Sequence, residues 1–193
     1  MLAAVILSGG ASRRMGSPKA LLSYQGRPFL EHLLDVSHHP KIGVRRVVLG
    51  ADAEPIAKEI NLSSDEIVIN EDWEKGQLSS IQSALRSLPP QTDGIILFLI
   101  DHPLISSTLV DELVATFYTS GKAIVLPVYE GRRGHPVIFS SGLYEELMTA
   151  PLETGARSVV WAHSNEIQIV QTNEEGCVLN LNDPDTMQRA FGG

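Results

Sequence analysis

The chain has 193 residues and a formal net charge of −8, from 15 Lys and Arg against 23 Asp and Glu. That length suits one sizeable α/β domain spanning 1–193, and that charge argues against a general nucleic-acid or anionic-membrane binder. The single cysteine, Cys177, excludes an intrachain disulfide and a Cys-rich metal site. No apolar stretch approaches a membrane span, and the opening run is too short for a signal peptide and has no basic region before it, so a cytoplasmic protein is expected.

Residues 3–7 form an apolar run with a β-branched centre, which reads as a strand buried on both faces. The small residues Ser8, Gly9, Gly10, Ala11 and Ser12 follow and leave backbone N–H groups uncovered. Then come the cations Arg13, Arg14 and Lys19. Amides and cations beyond a strand's carboxyl end are what a polyphosphate needs, so this loop is the expected nucleoside triphosphate site. It is not a Walker A loop, because five residues separate Gly10 from Gly16 and the lysine comes three after Gly16. Gly9, Gly10 and Gly16 also miss the dinucleotide fingerprint, which places an NAD-dependent oxidoreductase last among the readings.

A helix is expected from residues 27–28 to about residue 38, with Pro28 in its first turn. A strand over 45–50 leads to a helix capped by Asp52 and carrying Ile56, Ala57 and Ile60. A strand over 66–69 precedes a helix over 77–88 that is stopped by Pro89 and Pro90. Residues 94–100 are the best central-strand candidate. Ser106 should cap a helix ending at Gly121, and 122–127 is another strand. This alternation predicts a mostly parallel sheet with helices on both faces, a Rossmann-like α/β fold. Residues 128–129 and 137–139 flank a Gly- and Pro-bearing stretch and read as a hairpin with a long loop, a small insertion. Helical stretches at 143–149 and 156–162, a strand at 166–171 and a closing helix at 183–191, capped by Asp183 with Pro184 first, complete the chain.

Asp101 ends the most apolar run, and open α/β sheets bind ligands at the carboxyl ends of central strands. Magnesium favours one or two carboxylates plus substrate phosphates, which suits a lone Asp101. Ser79 and Ser80 open the helix over 77–88, as simple caps or as donors to a bound nucleotide. The loop 131–136 carries Arg132 and Arg133, either solvated or facing an anionic acceptor. Arg157 stands at a helix start, where a cation is disfavoured by the dipole, so it has either an anionic partner or a salt bridge there.

The stretch Leu7-Ser8-Gly9-Gly10-Ala11-Ser12-Arg13-Arg14-Met15-Gly16-Ser17-Pro18-Lys19 resembles the signature L-A-[AG]-G-x-[SG]-x-R-[ML]-G-x-x-K of the MobA/MocA-like nucleotidyltransferases, the molybdenum cofactor cytidylyl- and guanylyltransferases. Four later segments resemble that family too: Asn70 to Ile81, Leu99 to Ile105, Gly131 to Val137 and Glu153 to Arg157. The resemblance implies a nucleotide-diphospho-sugar transferase type of fold and transfer of NMP from CTP or GTP to a phosphorylated acceptor of the molybdopterin type, with release of pyrophosphate. It implies catalytic roles for Arg14, Lys19 and Asp101, with Asp101 holding Mg²⁺. It implies nucleotide contacts from Leu7, Ser8, Gly9, Gly10, Lys19, Asn70, Ser79 and Ser80, and acceptor contacts from Arg133, His135 and Arg157. His102 replaces the family's Met or Gln and reads as a space-filling neighbour. Asn180 and Asn182 stand where some relatives have a second metal-binding aspartate, so no second protein ligand is carried over. Leu7-Ser8-Gly9-Gly10 and Asn180-Leu181-Asn182 look guanylyl, the other segments cytidylyl, and whole-chain similarity tips the expectation to CTP. A sugar-phosphate nucleotidyltransferase and a non-catalytic nucleotide-binding module are the alternatives.

Overall fold

The computed structural model describes residues 1–11, 16–182 and 184–191. The first strand, β1 (Leu2–Ser8), is buried at every position, as its unbroken apolar run requires. A two-residue pairing of β2 (Ser23–Tyr24) with β3 (Arg27–Pro28) leads into α1 (Phe29–Val36). There follow β4 (Ile42–Leu49), α2 (Ala53–Glu59), β5 (Ile67–Ile69), α3 (Gln77–Arg86) and β6 (Gly94–Leu99). The second half comprises α4 (Ser107–Ser120), β7 (Ile124–Tyr129), β8 (Arg132–Arg133), β9 (Val137–Ser140), α5 (Tyr144–Thr149), α6 (Arg157–Ala162), β10 (Ile167–Gln171) and α7 (Pro184–Phe191).

The main sheet runs β10-β7-β9-β6-β1-β4-β5, with β8 paired to the far end of β7. Strands β5, β4, β1, β6, β7 and β10 share one direction, and β9 and β8 oppose it. The expected mostly parallel, doubly covered sheet is what forms. Alternate residues of β1 feed two cores: Ala4 and Ile6 pack with Leu30 and Leu33 of α1, Ile56 of α2 and Leu113 of α4. Ala3, Val5 and Leu7 pack with Leu78 and Ile81 of α3, Leu147 of α5 and Val159 of α6. Full burial of each Val, Leu or Ile side chain among these stabilises by roughly 1.5–3 kcal/mol, which is why so apolar a strand can be held from both sides.

Ser106 caps α4 as expected, its Oγ accepting from the Leu109 amide at 3.1 Å, and Gly121 ends that helix at φ +66°. Several local expectations are corrected. Pro28 belongs to β3 and stands at the N-cap of α1, because its amide-less nitrogen costs nothing there and Arg27 pairs with Tyr24. Asp52 sits at the N-cap of α2 but its side chain makes no capping hydrogen bond. The expected long hairpin loop is a tight turn: β7 reverses through Glu130 and Gly131 into β8, and only afterwards does β9 return to fill the gap between β7 and β6. Glu130 and Gly131 have φ of +47° and +78°, the conformation of a two-residue hairpin turn. Asp183, Gly192 and Gly193 lie outside the described residues. Among the described residues no helix is long and apolar enough to cross a membrane.

Candidate nucleotide and acceptor site

The carboxyl ends of β1 and β6 lie side by side, with Leu7 opposite Leu99 and the Ile100 amide donating to the Leu7 carbonyl at 3.1 Å. Gly9 and Gly10 leave the first strand, and Asp101 leaves the second. Both meet the turn of Trp73 to Gly76 that opens α3. A cavity of about 250 Å³ forms there, lined by Leu7, Gly9, Gly10, Ala11, Lys19, Trp73, Gly76, Gln77, Ser80, Leu99, Ile100 and Asp101. Close approach of backbones builds it. A Cβ on Gly50 would stand 2.2 Å from the Gly9 carbonyl oxygen and 2.7 Å from Cβ of Trp73. A Cβ on Gly9 would stand 2.9 Å from Oγ of Ser80. Gly9 therefore faces the start of α3, and its missing methyl group serves that packing.

Of the expected nucleotide-binding residues, Leu7, Gly9, Gly10, Lys19 and Ser80 line this cavity, and so does Asp101. Ser8, Asn70 and Ser79 are buried and are not among its lining residues. Asn70 is a hub: its amide donates to Oγ of Ser79 and of Ser80, both at 2.9 Å, and its oxygen accepts from the Asp72 amide at 3.1 Å. Ser79 in turn donates to the carbonyls of Asp72 and Gly76. This network fixes the turn before α3, so Asn70 and Ser79 shape the cavity wall from behind. Arg13 and Arg14, with Ser12, lie outside the described residues.

Lys19 and Asp101 are each 19% exposed, with Nζ 3.8 Å from Oδ2. Nζ also donates to Oδ1 of Asn182. Nε2 of His102 lies 3.8 Å from the other Asp101 oxygen. Burial lowers the His102 imidazole's pKa, against the pull of Asp101. Among the described residues no cluster of three or more His, Cys, Asp or Glu could hold a metal. Asp101 thus fits a cation that is completed by ligand phosphates, and not an all-protein cage.

A second cavity of about 560 Å³ adjoins the first, with Gln77 in the wall of both. It brings together Arg133 of β8, His135 and Arg157 of α6, three residues far apart in the chain. The His135 ring stands 5.3 Å from that of His102, and burial first, then His102, pushes its pKa down to about 4. The segment from Gly176 to Asn182 straps the back of both loops. The Leu181 amide donates to the Asp101 carbonyl at 2.8 Å, and the His135 amide to the Cys177 carbonyl at 2.8 Å.

Trp73, Gly76 and Gln77 also line the first cavity; they belong to the Asn70 to Ile81 segment that carries the resemblance, which assigns them no site role. Leu152, in the turn before α6, and Trp161, on α6, line the second, and nothing local marks them, since a lone apolar residue in a short helix or a turn carries no pattern of its own.

A family model described as MobA-like NTP transferase domain matches residues 4–167. The chain is 29% identical over 196 residues to a nicotine blue oxidoreductase of Paenarthrobacter nicotinovorans, covering 97% of this chain and 93% of that protein. It is 25% identical over 191 residues to a molybdenum cofactor guanylyltransferase of Shewanella sp. (strain ANA-3), covering 96% and 93%. Among solved structures, Rv0371c from Mycobacterium tuberculosis H37Rv superposes with a TM-score of 0.84 at 26% identity, over 100% of both chains. A complex of the same protein with manganese superposes at 0.78 and 23% identity, a likeness of fold.

Proposed function

The chain belongs to the family of MobA-like NTP transferase domains, and from that premise we propose that it transfers a nucleoside monophosphate from GTP to a phosphorylated, molybdopterin-type acceptor with release of pyrophosphate. The observation that carries this reading is the cavity in which the Gly9-Gly10 loop, Lys19 and Asp101 converge beyond β1 and β6, with a second cavity sharing its Gln77 wall. The name of the Shewanella relative and the residues Leu7-Ser8-Gly9-Gly10 favour GTP over CTP.

In this reading the acceptor phosphate is itself the nucleophile, so the protein's work is placement and charge stabilisation. The Gly9 and Gly10 loop receives the triphosphate, and Lys19, held beside Asp101 by Asn182, offsets charge on it. Arg14 is assigned the same duty, and Arg133, His135 and Arg157 the holding of the acceptor. Asp101 would hold a divalent cation, Mg²⁺, which supplies Lewis-acid polarisation of the phosphates when bound. Ser80 and Gln77 bound the nucleotide at the start of α3.

The test presents equal GTP and CTP with Mg²⁺ and molybdopterin, reads pyrophosphate release, and identifies the product by mass. A guanylylated acceptor, lost on chelation of the metal, is the expected result; no pyrophosphate from either nucleotide would sink the proposal. The name of the Paenarthrobacter relative favours a second reading, that of an oxidoreductase, for which NADH is the first reductant to try. A change in NADH fluorescence on mixing, with no pyrophosphate formed from any triphosphate, would decide for it.

A further inference from the structure

We infer that Trp161 is the specificity-determining residue of the second cavity, and that it stacks against a planar aromatic ring of an acceptor that also carries an anionic group. This rests on reading that cavity as the acceptor site. Trp161 is 60% exposed on α6, and Leu152, also in the lining, is 37% exposed. An indole is among the largest apolar groups a fold can bury, and leaving it open forgoes that stabilisation. Among the described residues, none makes a side-chain hydrogen bond or ring contact to the Trp161 indole.

Its surroundings define what would cover it. The strands contribute an apolar floor that includes Phe139. Arg157 precedes Trp161 by four residues on α6 and so shares its face of the helix. Arg133 is a second cation in the same lining, and Glu153 is the carboxylate among them. A flat ring meets the floor and the indole face, while an anion on that ring meets the guanidinium groups. A sugar ring laid on that floor would press hydroxyl groups against apolar side chains, and only lining residues outside the floor, such as Gln77, Glu153 and Thr154, could pair with them.

The test compares two phosphate monoesters that differ in the ring alone, 1-naphthyl phosphate and glucose 1-phosphate, by calorimetric titration of the full chain. Wild-type protein should bind the naphthyl ester and prefer it to the sugar ester. Trp161→Ala should weaken the naphthyl ester about tenfold, the scale of one ring stacked on an aromatic side chain, and leave the sugar ester unmoved. Trp161→Phe, which keeps a flat face, should recover most of the loss. An unchanged naphthyl affinity in Trp161→Ala, equal binding of the two esters, or no naphthyl binding to wild type at millimolar concentration would each overturn the inference. The chain's other tryptophan, Trp73, lines the first cavity, so GTP binding to the Trp161 variants can be followed by its emission. Retained GTP quenching with a failed naphthyl result removes this inference alone, whereas loss of GTP binding in wild type removes the nucleotidyl-transfer reading beneath it.

Discussion

Asp101 is where sequence and structure agree for a stated physical reason. A carboxylate ending a fully apolar run has to emerge at the end of a central strand, and it does so beside the cavity. Asp101→Asn should leave the fold intact and lower turnover by about a hundredfold or more, as for loss of a charge contact made in the transition state; near-normal pyrophosphate release by the soluble variant would remove the assignment. Lys19→Ala should raise the KM for nucleotide in the same assay. Gly9 was legible as a loop glycine, but its reason was not. The sequence alone marks it as a small residue that leaves backbone amides uncovered, whereas the structure aims the missing Cβ at Ser80. Gly9→Ala and Ser80→Ala should consequently be non-additive. The double variant should recover part of the Gly9→Ala stability loss, with a coupling of about 0.5–3 kcal/mol in chemical denaturation. Additive effects would mean that the loop shifts away from α3 instead. Trp161 was not legible at all, because only the assembled cavity distinguishes an exposed lining residue from core.

At the scale of elements, periodicity and capping residues served well where they were strong. Ser106 and Gly121 bracket α4, and the apolar spacing of Leu78, Ile81, Ala84 and Leu85 defines the buried face of α3. Failure came at the β7-β8-β9 segment. Two glycines and a proline within seven residues read as one loop, but the first glycine belongs to a two-residue turn and the proline to the entry of β9. Sequence spacing cannot show that β9 pairs with β6 as well as β7, since that partner lies some forty residues earlier by strand register. Glu130 occupies the left-handed region at φ +47°, which Asn tolerates better. Glu130→Asn should accordingly raise stability, read as a higher midpoint in thermal unfolding; a lower midpoint would show that the turn is not held as described.

Across the whole molecule, several neutral groups are held where ionisation is disfavoured. Burial, then Glu174, pushes the Cys177 thiol from near 9 up to about 11. Burial, then the hydrogen bond to Asp93, pushes Tyr118 from 10 up to about 12. In both cases the folded state keeps its proton longer than the unfolded chain does. Stability is therefore fully present below pH 9 and declines as pH rises through 9 to 12. Cys177 alone accounts for on the order of 2–3 kcal/mol at the alkaline end. Urea midpoints measured from pH 8 to 11 should fall, and Cys177→Ala should flatten the early part of that fall. A flat profile in the parent chain would contradict the burial of Cys177.

The strap over the back of the site also gives the molecule a clock. Its one thiol, Cys177, is fully buried against Gly134, and the neighbouring backbone joins the strap to the His135 and Asp101 loops. A buried, protonated thiol does not react with a maleimide or a disulfide reagent, so modification has to wait for the strap to lift. The labelling rate then counts opening events, without a probe being introduced. Because the same segment reaches Lys19 through Asn182, a ligand that engages Lys19 alters the tether at its other end. GTP and Mg²⁺ should change the labelling half-time several-fold while denatured protein labels at a constant rate. A half-time indifferent to nucleotide would show that strap and phosphate loop move independently.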